Sequence, residues 1–221
     1  MRPHLNLRAR RVATALGALC LAITPIVLPG TARSDDTRPA HGAVAADIAP
    51  GQSRLNVLAG RQASVHGRVL SGAVGRPALL QRRSGTAWST IDHATTRAGG
   101  AFAFAFRPQQ TGSARLRILV DAARREIGRL NVYRRTAVSW YGPGLYGNKL
   151  SCGGRLTPGT LGVAHKTLPC GSRVTLRRGD RVIRVRVVDR GPYVGGREFD
   201  LTSATRERLH FGGVGSLLVA G

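Results

Sequence analysis

Between residues 54 and 134 the chain repeats a short pattern of apolar or alternating runs about every 8 to 12 positions. The runs are LNVLA at 55–59, ASVHGRVL at 63–70, PALLQRR at 77–83, AWSTI at 87–91, AFAFAF at 101–106, ARLRILV at 114–120 and IGRLNVY at 127–133, with Gly and small polar residues between them. In AFAFAF a strict period of two puts Phe102, Phe104 and Phe106 on one face of a strand. Seven such strands predict a β-sandwich over 54–134, with an architectural likeness to the immunoglobulin-like modules of surface proteins. A joint follows at 134–136. Residues 137–221 read as a second β-rich unit with one helical stretch at 203–209, for which Thr202 or Ser203 is the expected N-cap. The predicted fold class is therefore all-β, in two domains.

The N-terminal pattern is different. Arginines precede an apolar run at 12–28, and the small residues Gly30, Thr31 and Ala32 follow it, which is the order of a secretory signal peptide over 1–33. Residues 34–53 lack periodicity and read as a flexible linker. No other run is long and apolar enough to span a bilayer. The expected location is extracytoplasmic, secreted or wall-associated, with no membrane span after cleavage.

Composition adds a basic excess of +23, and all but two of the 34 basic residues, Lys149 and Lys166, are arginine. The charge is spread along the chain without a basic arm, helix-turn-helix or aromatic RNA-binding strand, so no specific nucleic acid is expected. Solvated arginine and attraction to anionic wall polymers remain as readings of the excess. The cysteines left after signal removal, Cys152 and Cys170, most simply form a disulfide. No residue set has metal-ligand spacing, and no cofactor is expected; His66 and His93 read as ordinary strand residues. Gly142, Gly144 and Gly147 satisfy a dinucleotide-loop spacing, but Pro143 and the lack of a following helix exclude that use.

Three segments carry the chemistry: SWYGPGLYGNKLSCGG from 139, VAHKTLPCGSRV from 163 and VVDRGPYVGGREFDLT from 187. In order and spacing they resemble the double-psi β-barrel domain of the rare lipoprotein A family, in its form with a cysteine pair. The resemblance covers 137–221 and implies a six-stranded double-psi barrel with one short helix. It also implies lytic cleavage of peptidoglycan, with Asp189 as acid/base and His165 as its helper. No C-terminal wall-binding repeat of the kind several relatives carry is read in the sequence.

The residues give an independent reading of Asp189. Ile183, Val185 and Val187 alternate with Arg184 and Arg186, so Asp189 closes an apolar row unless a bulge intervenes. Partial desolvation there suits a carboxyl that must hold its proton. The alternative is an Asp that only hydrogen-bonds the next turn. His165 either orients that carboxyl or bonds backbone nearby. Tyr141, Tyr193, Arg190 and Lys166 are candidate substrate contacts, Trp140 is either sugar platform or core, and Asp200 anchors the helix entry. Where many members of the family carry a glutamate, this sequence has Gly154. Cleavage by a sugar's own hydroxyl needs one carboxyl only, so the expected activity is a lytic transglycosylase on peptidoglycan glycan strands. The rival is a non-catalytic wall-glycan-binding or expansin-like module.

Overall fold

The computed structural model describes residues 47–221. The expected signal peptide and residues 34–46 of the leader lie outside the described residues. Eight strands come first: β1 Ile48–Arg54, β2 Asn56–Leu58, β3 Ala63–Val69, β4 Pro77–Ser84, β5 Ala87–Thr95, β6 Ala101–Phe106, β7 Gly112–Val120 and β8 Ala123–Tyr141. One sheet has the order β1-β3-β6, and the other runs β5-β4-β7-β8 with β2 parallel to β8. Both contribute to one apolar cluster. Val65, Phe102 and Phe104 come from the first sheet, and Leu80, Leu116, Ile118 and Val132 from the second. The period-two runs thus bury their apolar faces as their alternation requires. Phe102 and Phe104 are buried, whereas Phe106 is only partly covered.

Two details depart from expectation. Residues 48–54, assigned mostly to the linker, form strand β1, paired with β3 through an irregularity between Pro50 and Ser53. The segment has a single large apolar anchor, Ile48, so no periodicity marks it. It lies at the edge of its sheet, where Pro50 can be accommodated because an edge position need not donate to the ladder. Arg134, Arg135 and Thr136, expected as a joint, are interior to β8. That 19-residue strand pairs with β7 and β2 first, then with the later strands Gly215–Ala220 and Phe199–Thr202. A partner at each stage keeps its backbone groups satisfied, so the chain has no reason to turn.

The remaining elements are β9 Gly162–His165, β10 Arg173–Arg178, β11 Arg181–Asp189, β12 Phe199–Thr202, α1 Ser203–Arg208 and β13 Gly215–Ala220. With the end of β8 they make a closed circuit, β8-β13-β10-β11-β9-β12, sealed by parallel pairing of Phe199 with Val138 through Thr202 with Tyr141. This is a six-stranded barrel with one short helix. Its core holds Val138, Val163, Leu176, Val187, Phe199, Leu201 and Leu217, and Trp140 packs partly against it. Arg206 lies over the Trp140 ring at 4.2 Å. Thr202 precedes α1 with extended backbone but makes no side-chain cap. Its hydroxyl instead donates to Gly162 O at 3.1 Å, and Thr205 Oγ1 donates to the same carbonyl at 2.9 Å. The helix entry is therefore tied to β9.

Gly162 has a second duty. A Cβ there would stand 2.4 Å from Val188 Cγ2 and 2.7 Å from Cγ1. Val188 is the extra residue where β11 slips against β9: Val187 pairs with Val163, and Asp189, two residues on, pairs with the next residue, Ala164. Such a bulge re-aims the side chain that follows it. Replacing Gly162 by Ala should lower the unfolding free energy by about 1–3 kcal/mol, measured by chemical denaturation, because the stiff β-branched Val188 cannot rotate clear.

Candidate active site

The bulge corrects the expected position of Asp189. Ile183, Val185 and Val187 do face the barrel core, Val187 at 1% exposure, but the inserted Val188 takes Asp189 out of that row. The carboxylate is half-buried at the end of β11. Its Oδ1 accepts backbone N–H bonds from Ser151 and Arg190, both at 2.8 Å. The turn-bonding alternative therefore describes Oδ1, while Oδ2 makes no hydrogen bond among the described residues. No described ion pair involves Asp189. Gly191 follows with φ of 120°, a region that favours glycine, and it lets the chain leave the strand abruptly.

Ala164 on β9 is in register with Asp189 on one side and Asp200 of β12 on the other, so the two carboxylates stand on one cross-strand row. Asp200 accepts a hydrogen bond from the Ser139 hydroxyl. Tyr141 senses both acids. Burial first, then the Asp189 carboxylate and more weakly that of Asp200, push its phenol pKa well above the ordinary range. Its hydroxyl is buried and has no partner of ordinary hydrogen-bond geometry, although it lies close enough to Asp189 to feel its charge. Tyr141, a candidate substrate contact in the sequence, thus sets a buried, neutral hydroxyl beside the candidate acid.

His165 is placed elsewhere. Its Nδ1 accepts N–H bonds from Thr167 at 3.1 Å and Leu168 at 2.9 Å, which leaves the proton on Nε2. Nε2 lies 3.5 Å from Oε1 of Glu198, and the ring packs on Phe199. No described contact joins His165 to Asp189. The sequence reading missed Glu198, whose carboxylate takes a two-pronged ion pair from Arg134 and a 2.6 Å bond from Thr136 Oγ1. The Arg134 hydrogen bonds, outweighing burial and helped by Thr136, hold its pKa at about 2. Glu198 and Asp200 are alternate residues flanking buried Phe199, and that alternation was the available signal.

The other candidates divide. Tyr193 is 82% exposed, four residues beyond Asp189, with its ring open to solvent. Lys166 is exposed. Arg190, expected at substrate, spends its guanidinium on the 165–170 loop. Nη1 donates to Leu168 O at 2.8 Å and His165 O at 3.2 Å, and Nη2 lies 3.2 Å from Cys170 Sγ. Cys152 and Cys170 form a disulfide, as expected, with Cα atoms 5.4 Å apart. The Cys152 N–H also donates to Val188 O at 3.2 Å, tying the disulfide loop to the bulge. Gly154, where the resemblance implies a glutamate, has φ of 79° and open space around it. Among the described residues no group of three or more His, Cys, Asp or Glu could hold a metal ion. Clefts of about 510 and 650 Å³ elsewhere on the molecule do not touch Asp189.

Comparison with known proteins shows what the barrel segment is similar to. The family model described as a lytic transglycolase matches residues 135–220. The "Probable endolytic peptidoglycan transglycosylase RlpA" of Synechocystis is 44% identical over 84 residues, 36% of this chain and 26% of the relative. The endolytic peptidoglycan transglycosylase RlpA of Campylobacter jejuni is 42% identical over 73 residues, 32% of this chain and 26% of that protein. Its counterpart in Neisseria meningitidis serogroup A is 43% identical over 75 residues, 33% of this chain and 31% of that protein. The chain thus matches about a quarter to a third of the length of these relatives.

Two outcomes test the electrostatics and the disulfide. Glu198 has a folded pKa of about 2 against an ordinary 4.5, so its contribution to stability is complete above 4.5 and is lost as pH falls toward 2. The stability gap between wild type and Glu198→Gln, read by denaturant titration, should be constant near neutrality and shrink through that window. Replacing both Cys152 and Cys170 by Ala opens a loop with a sequence separation of 18 and should cost about 3 kcal/mol by the same assay.

Proposed function

From the membership of residues 135–220 in the rare lipoprotein A-like double-psi β-barrel family, we propose that this protein is an exported lytic transglycosylase that cleaves peptidoglycan glycan strands. The observation that carries the reading is the Asp189 carboxylate, with Oδ1 fixed by two backbone donors, no ion pair among the described residues, and the buried Tyr141 hydroxyl close enough to sense its charge. In this mechanism protonated Asp189 gives its proton to the glycosidic oxygen as the C–O bond breaks. The resulting carboxylate then takes the proton from the C6 hydroxyl of the same muramyl sugar as that oxygen closes on the anomeric carbon. The product is a 1,6-anhydro ring, and the acid is regenerated. No positioned water or second carboxyl is needed, which suits a chain with Gly154 where many relatives carry an acid.

Each other residue has a role in this reading. The Tyr141 hydroxyl, kept neutral by its surroundings, donates to whichever of Oδ2 or the departing oxygen carries more charge. Exposed Tyr193 gives a flat apolar face to a sugar ring, and Lys166 adds a cation at the rim. His165 serves at one remove, by shaping the 165–170 loop against Glu198. The two-sheet part, read as an immunoglobulin-like spacer, holds the barrel against the wall.

A second reading rests on the open space at Gly154, where the family's glutamate would stand. In that reading the barrel binds wall glycan without cutting it. Purified protein incubated with peptidoglycan distinguishes the two. Wild type should release fragments with anhydromuramic ends, seen by mass spectrometry. Asp189→Asn should reduce their rate at least about 100-fold, the scale of a lost general acid. Pull-down on wall material without anhydro products from wild type would leave the binding reading alone.

A further inference from the structure

A second site lies where β8 leaves the two-sheet part and enters the barrel. There a cleft of about 650 Å³ is walled by Arg54, Arg61 and Arg107 from one side and Arg177 from the other. Several strands meet to make it. Leu58 of β2 is in register with Tyr133 of β8, and Leu218 of β13 pairs with both Arg135 of β8 and Arg177 of β10. The bond from Gly60 N to Pro108 O, 2.8 Å, brings the loops of Arg61 and Arg107 together. None of the four arginines belongs to a described ion pair, and no carboxylate lines the cleft. Guanidiniums gathered in a concave, partly apolar wall repel one another and focus a positive potential. An anion placed among them relieves that repulsion.

Farther along the same seam the pattern repeats. Ser113 of β7 bonds Asn131 at 2.6 Å and lies 3.0 Å from Thr175 of β10, closing the middle of the seam. Across from Thr175 on β11, Arg184 donates from Nη1 to the Thr175 hydroxyl at 3.3 Å but has a buried Nε with no hydrogen-bond partner, and burial together with the charges of Arg129 and Arg173 lowers its pKa. The seam thus carries a second group of crowded cations beside the cleft.

We propose that this cleft is a binding site for a polyanionic strand, one with phosphate or carboxylate groups repeated along a flexible backbone without aromatic rings. The shape of the wall selects against a nucleic acid. The cleft's aromatic residue, Tyr133, is 1% exposed and its hydroxyl is bonded to Asn56 at 3.0 Å, so it offers no face on which a base can stack. What remains for a ligand is guanidinium N–H groups and short apolar stretches of Val57, Leu58 and Leu218, which suit a polyol or sugar backbone. The site is separate from Asp189, and its occupation does not depend on glycan cleavage.

Full-length protein is titrated into fluorescently labelled poly(glycerol phosphate), polyglucuronate and oligo-dT at about 0.1 M salt, and anisotropy is read. The quadruple change of Arg54, Arg61, Arg107 and Arg177 to Gln should weaken binding of the preferred polymer at least about tenfold and flatten its salt dependence. A matched control, Arg68, Arg97, Arg125 and Arg208 to Gln, removes equal charge from exposed positions elsewhere and should cost less than about threefold. A triple variant that keeps Arg177, whose Nε holds Gly179 O, supplies the answer if the quadruple fails to fold. Whichever of the first two polymers binds more tightly identifies phosphate or carboxylate as the partner. Equal losses in seam and control variants, tighter binding of oligo-dT with the same arginine dependence, or no binding by wild type would each overturn the proposal. The Asp189→Asn variant should bind the polymer as wild type does, which separates failure here from failure of the cleavage reading.

Discussion

The absent side chain of Gly162 is the constraint on which the candidate site depends. Val188 occupies the space a Cβ would need, and only because it does can β11 carry one residue more than its partner β9. That extra residue turns Asp189 out of the apolar row and onto the row of Ala164 and Asp200. It also presents the Val188 carbonyl to Cys152 N and brings Oδ1 within reach of Ser151 N. The disulfide loop, the acid and the strand slip are therefore one arrangement. The same glycine's backbone is held by Thr202 and Thr205 at the entry to the helix. A packing contact fixes the chemistry, rather than a charge.

The carboxylates of the barrel divide by environment. Glu198 is locked by Arg134 and Thr136 with the His165 ring alongside, and its charge is wholly compensated. Asp200 is held by a hydroxyl. Asp189 has backbone donors on one oxygen only, and it has no ion pair among the described residues. A group that must alternately keep and release a proton near neutral pH is poorly served by a guanidinium fork. Asp189 and Asp200 both lack one, and Asp200 already accepts the Ser139 hydroxyl. His165 belongs to the compensated group, which explains why it shapes a loop instead of touching the acid.

Much of the fold was legible because alternation is a strong signal where one face is buried. The seven runs in 54–134 each became strand, and the helix does begin at Ser203, with Thr202 at the N-cap position but without a side-chain cap. Strand β1 was not legible, since an edge strand with Pro50 and a single large buried side chain carries no period. The continuity of β8 through 134–136 was hidden because charged residues at a strand's crossing between two sheets read locally as a break. At the site, Asp189, Tyr141 and the cysteine pair were visible as motif positions. The bulge was not, because it depends on what faces Gly162 across the ladder. Glu198 went unnoticed because its partners, Arg134 and Thr136, are over sixty residues away and become neighbours only when β8 and β12 close the barrel.

The uninterrupted run of β8 also decides where the polypeptide can be divided. Read as text, the natural cut falls just before residue 137, and it would yield a tidy fragment holding every motif. In space, that cut discards the guanidinium and the hydroxyl that neutralise Glu198, and with them the counterweight beside which the His165 ring is seated. It also strips β13 of the Arg134, Arg135 and Thr136 backbone against which Leu217, Leu218 and Val219 pair. The two halves are thus spliced through a shared beam, and the smallest self-sufficient piece of this barrel begins inside its neighbour.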